Sequence, residues 1–301
     1  MDENRYLIGL VGAGVSPSLS PALHEREADA QGLRYLYQLL DIERLGLEAE
    51  DVGDLLAAAR LTGYRGLNVT HPCKRAVVRH LDERSPEVAV LGAANTVVFE
   101  AGRAIGHNTD RYGFEQSFAA GLPDARRERV LLLGAGGAGA AVAHAMLGLG
   151  AGRIAVLDLE PDRSAELVVG LRARFGPDRA VTLRPGELAG WIAQADGVIN
   201  ATPVGMTSCP GLPLPAELLR PDLWVADIVY RPLETELLVA ARRAGCRTLD
   251  GAGMALFQAA ESFRLFTGRR PDIARMARHL EQLTAEGGAR TRCERPSPPS
   301  R

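Results

Sequence analysis

One lysine stands among 35 basic residues: Lys74, the other 34 being arginine. A guanidinium keeps its proton inside a protein, whereas an ammonium gives its proton up near neutral pH when burial or a neighbouring charge shifts it. Lys74 is therefore a candidate for proton transfer, at a position where arginine would not serve. The plain alternative is one surviving surface lysine in an arginine-biased chain. Lys74 ends the run Asn68-Val-Thr-His-Pro-Cys-Lys74. Two polar clusters follow, Gly92-Ala-Ala-Asn95-Thr and Gly106-His-Asn108-Thr-Asp110, and an earlier one is Ser18-Leu-Ser20-Pro21. Each sets hydroxyls, amides, a carboxylate or an ammonium at a strand end, where open α/β sheets bind ligands. Such groups suit a small polyhydroxylated carboxylate, although any one of them alone serves as well to cap a turn.

A second kind of chemistry is written in Gly134-Ala-Gly136-Gly137-Ala138-Gly139, which fits GxGxxG. An apolar run, Arg129 to Leu133, precedes it, a small-residue helix follows, and the next strand ends at Asp158. Gly134 permits the tight turn, Gly136 the approach of backbone to a pyrophosphate, and Gly139 close helix–strand packing. The helix N-terminus offers free amides and partial positive charge to a diphosphate. Asp158 can accept from both ribose hydroxyls and would repel a 2′-phosphate. It is equally placed to cap a turn. Arg163, five residues on, can accommodate a phosphate or stack on adenine. The carboxylate is nearer the strand end, which favours NAD over NADP.

Strands alternating with helices must carry these groups. Strands are expected at Tyr6–Gly12, Tyr35–Leu40, Gly66–Val69 and Thr96–Glu100, with helices at Pro21–Ala30 and Ala49–Arg60 between them. A second series follows: strands Arg129–Leu133, Ile154–Leu159, Gly197–Asn200, Trp224–Ile228 and Arg247–Leu249, with helices at Ala138–Leu149, Ser164–Arg174, Ala252–Phe266 and Pro271–Thr284. Alternation of this kind implies parallel sheets. The expected architecture is two α/β domains: an open substrate domain over 1–112, a Rossmann-type doubly wound domain over 113–254, helices 255–285 returning to the first, and a disordered tail over 286–301.

Composition narrows the partners. A net charge of −2 gives no electrostatic footprint for nucleic acid. No apolar run has the length of a membrane span or the form of a signal peptide. Cys73, Cys209, Cys246 and Cys293 lie far apart, without metal-ligand spacing, and read as reduced cytosolic thiols. A neighbouring ammonium, Lys74, could lower the thiol pKa of Cys73. No metal is expected. The partner is a small-molecule substrate, the location cytoplasmic, the state monomer or homodimer.

With these residues quoted, the chain resembles the shikimate dehydrogenase family from about Tyr6 to Leu283. It carries in order SxSP, NVTxPxK, GAxNT, NTD, GAGGAG, NATPxGM, VYxP and DGxxMxxxQ (Asp250 to Gln258). It is most similar to the NAD-dependent quinate/shikimate branch, in Thr-His-Pro, in Asp158 and in ETELL (Glu234 to Leu238). The resemblance implies a substrate site of Ser18, Ser20, Asn68, Thr70, Lys74, Asn95, Asp110 and Gln258, with Tyr230 close by. Ser18 and Ser20 would hold a carboxylate, and Lys74 and Asp110 would be the catalytic pair. Beside the glycine-rich turn, it implies cofactor contacts at Asp158, Arg163, Thr202, Pro203, Val204, Met206, Val229, Gly251 and Met254. The implied reaction is reversible hydride transfer between shikimate or quinate and NAD. Ser20 stands where some quinate-oxidising relatives have threonine, which keeps both substrates open. A biosynthetic NADP-dependent enzyme, an aminoshikimate dehydrogenase and a catalytically silent NAD-sensing module are the other readings.

Overall fold

The computed structural model describes residues 4–293. In chain order the first half forms β1 (Arg5–Gly12), α1 (Ser20–Ala30), β2 (Arg34–Asp41), α2 (Ile42–Leu45), α3 (Val52–Leu61), β3 (Gly66–Val69), α4 (Cys73–Ala76), β4 (Glu83–Arg84), α5 (Pro86–Leu91), β5 (Thr96–Glu100) and β6 (Arg103–His107). Then come α6 (Asp110–Gly121), β7 (Arg129–Leu133), α7 (Gly137–Gly148), β8 (Arg153–Leu157), α8 (Pro161–Phe175), β9 (Ala180–Thr182), α9 (Leu188–Ile192), β10 (Gly197–Asn200), β11 (Trp224–Asp227), α10 (Glu236–Arg243), β12 (Arg247–Leu249), α11 (Ala252–Thr267) and α12 (Ile273–Cys293).

By internal packing the chain divides into two units. One holds residues up to Asp82, 96–105 and from Ala259 onward; the other holds 83–95 and 106–258. This differs from a boundary at 112/113. Leu91 of α5 and Phe114 and Phe118 of α6 belong to the core that α7 shares, so 83–95 and 106–112 go with the second unit.

The first sheet has the order β2-β1-β3-β5-β6-β4. β1 pairs parallel to β2 and β3, but β3 pairs antiparallel to β5, so this sheet is mixed rather than parallel. A parallel neighbour needs a long crossover, usually one helix. The chain between β3 and β5 is instead spent on short pieces, α4, β4 and α5. Ile8, Leu10, Val15, Tyr37, Val98 and Phe266 form a core on it. Glu27 of α1 is fully buried and takes a bidentate pair from Arg275 of α12, at 2.7 and 2.8 Å. Arg275 and the neighbouring donors outweigh burial and hold the Glu27 carboxyl below its ordinary value.

The second sheet is all parallel, in the order β12-β11-β10-β7-β8-β9. Along β7, Val130 and Leu132 face one core while Leu131 and Leu133 face another. Both faces are covered, which is why the strand reads as a continuous apolar run. Strand order reverses between β7 and β10, the switch point where such sheets bind ligands.

The tail expected over 286–301 is corrected in part. α12 continues through Cys293, so 286–293 is helical; 294–301 lies outside the described residues. Paired glycines cost a propagating helix far less than proline does, and the prolines begin only at Pro296.

Candidate active site

The turn after β7 sits at the switch point of the second unit. Gly134 adopts φ +95°, and a Cβ there would stand 2.7 Å from the Ala201 carbonyl of the loop after β10. A Cβ on Gly139 would lie 2.1 Å from the Gly134 carbonyl, so α7 can start this close to the turn only with glycine. Gly136 is different: a Cβ there meets nothing within 4 Å. No packing within the protein requires glycine there, and the backbone is left open on that side. No side chain caps α7, so the first-turn amides at Gly137 and Ala138 remain for an anion.

Asp158 follows β8, half-buried. One carboxylate oxygen accepts the Ala135 amide at 2.6 Å and the other the Glu160 amide at 2.9 Å. The side chain is thus tied both to its own turn and to the glycine-rich turn, with lone pairs left for hydroxyl donors. Arg163 forms an exposed ion pair with Glu160 at 2.9 Å.

Thr202, Pro203, Val204 and Met206 lie on the loop after β10, Val229 and Tyr230 after β11, and Gly251 and Met254 at the start of α11. Met254 is buried in the core beside α7. A network that the sequence reading passed over holds these loops. Asn200 accepts from the Thr202 amide at 3.1 Å and hydroxyl at 2.6 Å, and donates to the Val204 carbonyl at 2.9 Å. Asn200 also donates to Asp227 at 3.0 Å. Asp227, 1% exposed, accepts further bonds from the Val229 amide at 3.0 Å and the Thr235 hydroxyl at 2.7 Å. Burial raises the Asp227 pKa even against these three donors.

The same unit carries Asn95, Asp110 and Gln258. Asn95 donates to Asp110 at 2.8 Å and to the Thr109 hydroxyl at 2.9 Å, and accepts the Thr109 amide at 2.8 Å. Asn108 accepts the Asp110 amide at 3.1 Å and donates to the Ala93 carbonyl at 3.0 Å. The Gly92–Asn95 and His107–Asp110 segments are therefore one cross-braced structure. Asp110, 5% exposed, is the first residue of α6, where the helix dipole favours its charge. Gln258 packs against α6 at Gly113, whose Cβ would come 3.0 Å from the Gln258 Cβ.

The first unit carries Ser18, Ser20, Asn68, Thr70 and Lys74. Asn68, next to last in β3, donates to Thr96 at 3.0 Å and Ser262 at 3.1 Å, and accepts from the Tyr37 hydroxyl at 2.8 Å. Tyr37 and Ser262 were not singled out from the sequence, and Thr96 only as the last residue of the Gly92–Thr96 cluster; Ser262 lies one helical turn beyond Gln258 on α11. At the end of β1, a Cβ on Gly12 would strike the Thr70 methyl at 2.3 Å, and Ala13 donates to the His71 carbonyl at 2.9 Å. The loop after β1 is thus pressed against the loop that leads into α4 and Lys74, which is half-buried. Ser18 accepts the Ser20 amide at 3.2 Å. Two groups nearby are chemically quiet. Burial pushes His24 down to about 3, with its Nδ1 3.0 Å from the Tyr35 hydroxyl. Burial, aided by the charge of Glu50, pushes the Cys73 thiol up to about 11, the reverse of an ammonium-activated thiol. Among the described residues, no group of three or more His, Cys, Asp or Glu is placed to hold a metal, and no helix is long and apolar enough to cross a membrane.

A reversed-order parallel sheet, a glycine-rich turn open at Gly136 and an uncapped helix make up a dinucleotide-binding α/β unit. The comparisons agree. Residues 10–97 match the shikimate dehydrogenase substrate binding domain, and 251–281 the shikimate 5′-dehydrogenase C-terminal domain. A shikimate dehydrogenase (NADP(+)) of Streptomyces avermitilis is 60% identical, covering 96% of this chain and all of that protein. A quinate/shikimate dehydrogenase (NAD(+)) of Corynebacterium efficiens is 46% identical over 92% of this chain and 98% of its own. Among solved structures, quinate dehydrogenase from Corynebacterium glutamicum in complex with NAD superposes with a TM-score of 0.86 at 44% identity, covering 92% of this chain and 99% of that one. The chain belongs to the shikimate dehydrogenase family, and its cofactor is a nicotinamide dinucleotide.

Proposed function

We propose that this protein oxidises the carbinol carbon of shikimate or quinate reversibly to the 3-dehydro ketone, with NAD as cofactor and Lys74 and Asp110 as the catalytic pair. The observation that carries the NAD reading is the fixed carboxylate of Asp158. Two amides hold it, so it does not swing aside for a 2′-phosphate, and Glu160 adds a second negative charge while occupying Arg163. The NADP-dependent relative at 60% identity supports the other reading, and the test below decides between them.

Bound NAD would supply the hydride acceptor for the carbinol carbon. Gly136 gives room for the diphosphate and the α7 amides bind it. The Asn200–Asp227 network shapes the loops for the nicotinamide end, with Thr202, Val204, Met206 and Val229 against it. Ser18 and Ser20 hold the substrate carboxylate, and Asn68, Thr70, Asn95, Tyr230 and Gln258 orient its hydroxyls. Lys74 Nζ takes the hydroxyl proton as hydride leaves, a step worth roughly 10²–10⁴ in rate. Asp110, bonded by Asn95 at the N-terminus of α6, is the acidic partner of the pair.

Initial rates with shikimate and quinate, each against NAD and NADP, test this. An unpaired ribose-binding acceptor and charge repulsion should favour NAD at least about tenfold in kcat/KM. Asp158→Ser should raise NADP use and lower NAD use. Equal or better activity with NADP in the wild type assigns the enzyme to the NADP class instead. Lys74→Arg should keep the fold and lose most of kcat, because the guanidinium cannot take up the proton.

A further inference from the structure

The segment Ala13–Leu19 has no regular structure, yet it must present Ser18 and Ser20 with fixed geometry. On one side it is held by the His71 carbonyl, which accepts the Ala13 amide. The other side hangs from Asp41. One Asp41 oxygen accepts the Gly14 amide at 3.0 Å and the other the Ser16 hydroxyl at 3.2 Å. Asp41 is the residue opposite Gly12 in the last rung of the β1–β2 ladder, so the sheet itself sets the carboxylate. The residue is 7% exposed, and no cation pairs with it among the described residues. Burial pushes its carboxyl up, but the loop donors, led by the Gly14 amide, outweigh that and hold it below the ordinary value. A buried anion with no cation partner is costly unless its donors satisfy it. Here those donors come mainly from the loop whose shape matters. Ser18 Oγ already accepts the Ser20 amide, which leaves its O–H to donate outward.

We propose that Asp41 is the positioning residue for recognition of the substrate carboxylate: it fixes the 13–19 loop so that Ser18 and Ser20 present their hydroxyls together. This rests on the reading of the enzyme as a shikimate or quinate dehydrogenase.

The test pairs a change in the protein with a change in the substrate. Steady-state kinetics are measured for wild type, Asp41→Ala, Asp41→Asn and Ser16→Ala with shikimate and with its methyl ester, which offers no carboxylate. For Asp41→Ala the KM for shikimate should rise roughly tenfold, while kcat and the KM for the dinucleotide stay within about twofold. The KM for the ester, already raised in the wild type, should not move. Asn retains one acceptor for the Gly14 amide, so Asp41→Asn and Ser16→Ala should fall between, at roughly threefold. Asp41→Asn also serves if the alanine variant does not fold. An unchanged KM for shikimate, or equal rises for acid and ester, overturns the proposal while the enzyme's function stands. A wild type that turns over neither shikimate nor quinate overturns the functional reading and this proposal together.

Discussion

Asp41 and Asp227 do one job in the two units with opposite electrostatics. Each stands at the end of a strand and holds a loop that carries candidate site residues, the serine loop for Asp41 and the loops after β10 and β11 for Asp227. Around Asp41 the donors prevail over burial, and its carboxyl is held below the ordinary value. Around Asp227 burial prevails over three hydrogen bonds, and its carboxyl is raised. The first is reached by loop groups that themselves border solvent, since Gly14 and Ser16 are exposed. The second lies beneath loops of a doubly covered sheet. An aspartate is thus an inexpensive anchor at a sheet rim and a costly one in the interior. Asp227 sits where three bonds, from Asn200, Val229 and Thr235, converge on one residue to hold the loops after β10 and β11.

Breaking the interior anchor should have the largest effect. Asp227→Ala strands the Val229 amide and the Asn200 and Thr235 donors away from water, which should cost about 3 kcal/mol or more in urea unfolding. Activity should fall with it, through a raised KM for the dinucleotide. Asp41→Ala, whose donors can turn to water, should cost only about 1 kcal/mol. A reversed order would remove the contrast.

A second pair sharpens it inside one turn. Gly139→Ala drives a methyl into the Gly134 carbonyl and should destabilise the unit before any cofactor is added. Gly136→Ala meets no protein atom, so its melting temperature should match the wild type while dinucleotide affinity, read by calorimetry, drops roughly tenfold. A large loss of melting temperature in Gly136→Ala would make that glycine a packing residue.

The smallest effect is in pH dependence. A lowered folded-state pKa stabilises the fold above the ordinary carboxylate value and loses that contribution as pH falls through the folded pKa. Wild type should therefore lose its advantage over Asp41→Asn on acidification below the ordinary value. A raised pKa acts the other way: its contribution is complete below the ordinary carboxylate value and is lost as pH rises through the folded pKa. Wild type should gain on Asp227→Asn as pH falls through the window between the raised pKa and the ordinary one. Parallel pH curves for the two pairs would show that neither carboxyl titrates as the structure directs.

Much of the fold was legible because its signals are local. Gly66–Val69, Thr96–Glu100, Arg129–Leu133 and Gly197–Asn200 begin and end where apolar runs meet turn residues. β6 was missed although Ala101–Gly102, both at positive φ, supply the two-residue turn of a hairpin. The glycine-rich turn and Asp158 are legible by spacing. Asp41, Tyr37, Ser262, Asp227 and Thr235 are not, because their partners are distant in sequence: Tyr37 bonds Asn68, Ser262 bonds Asn68, and Asp227 bonds Asn200. No periodicity marks an anchor whose purpose is set by topology. That Lys74 and Asp110 form a pair is what the family resemblance implies; no spacing in the sequence shows it.

A chain with 34 arginines and one lysine carries a single side-chain amine, and the structure leaves Lys74 half-buried in α4 rather than sealed. Reductive methylation with isotope-labelled formaldehyde therefore writes one side-chain signal, resolved from that of the N-terminal amine, into an otherwise unlabelled protein. That methyl resonance becomes a reporter placed by the chain's own composition, titratable in whole enzyme and readable as substrate or dinucleotide is added, with no mutation required.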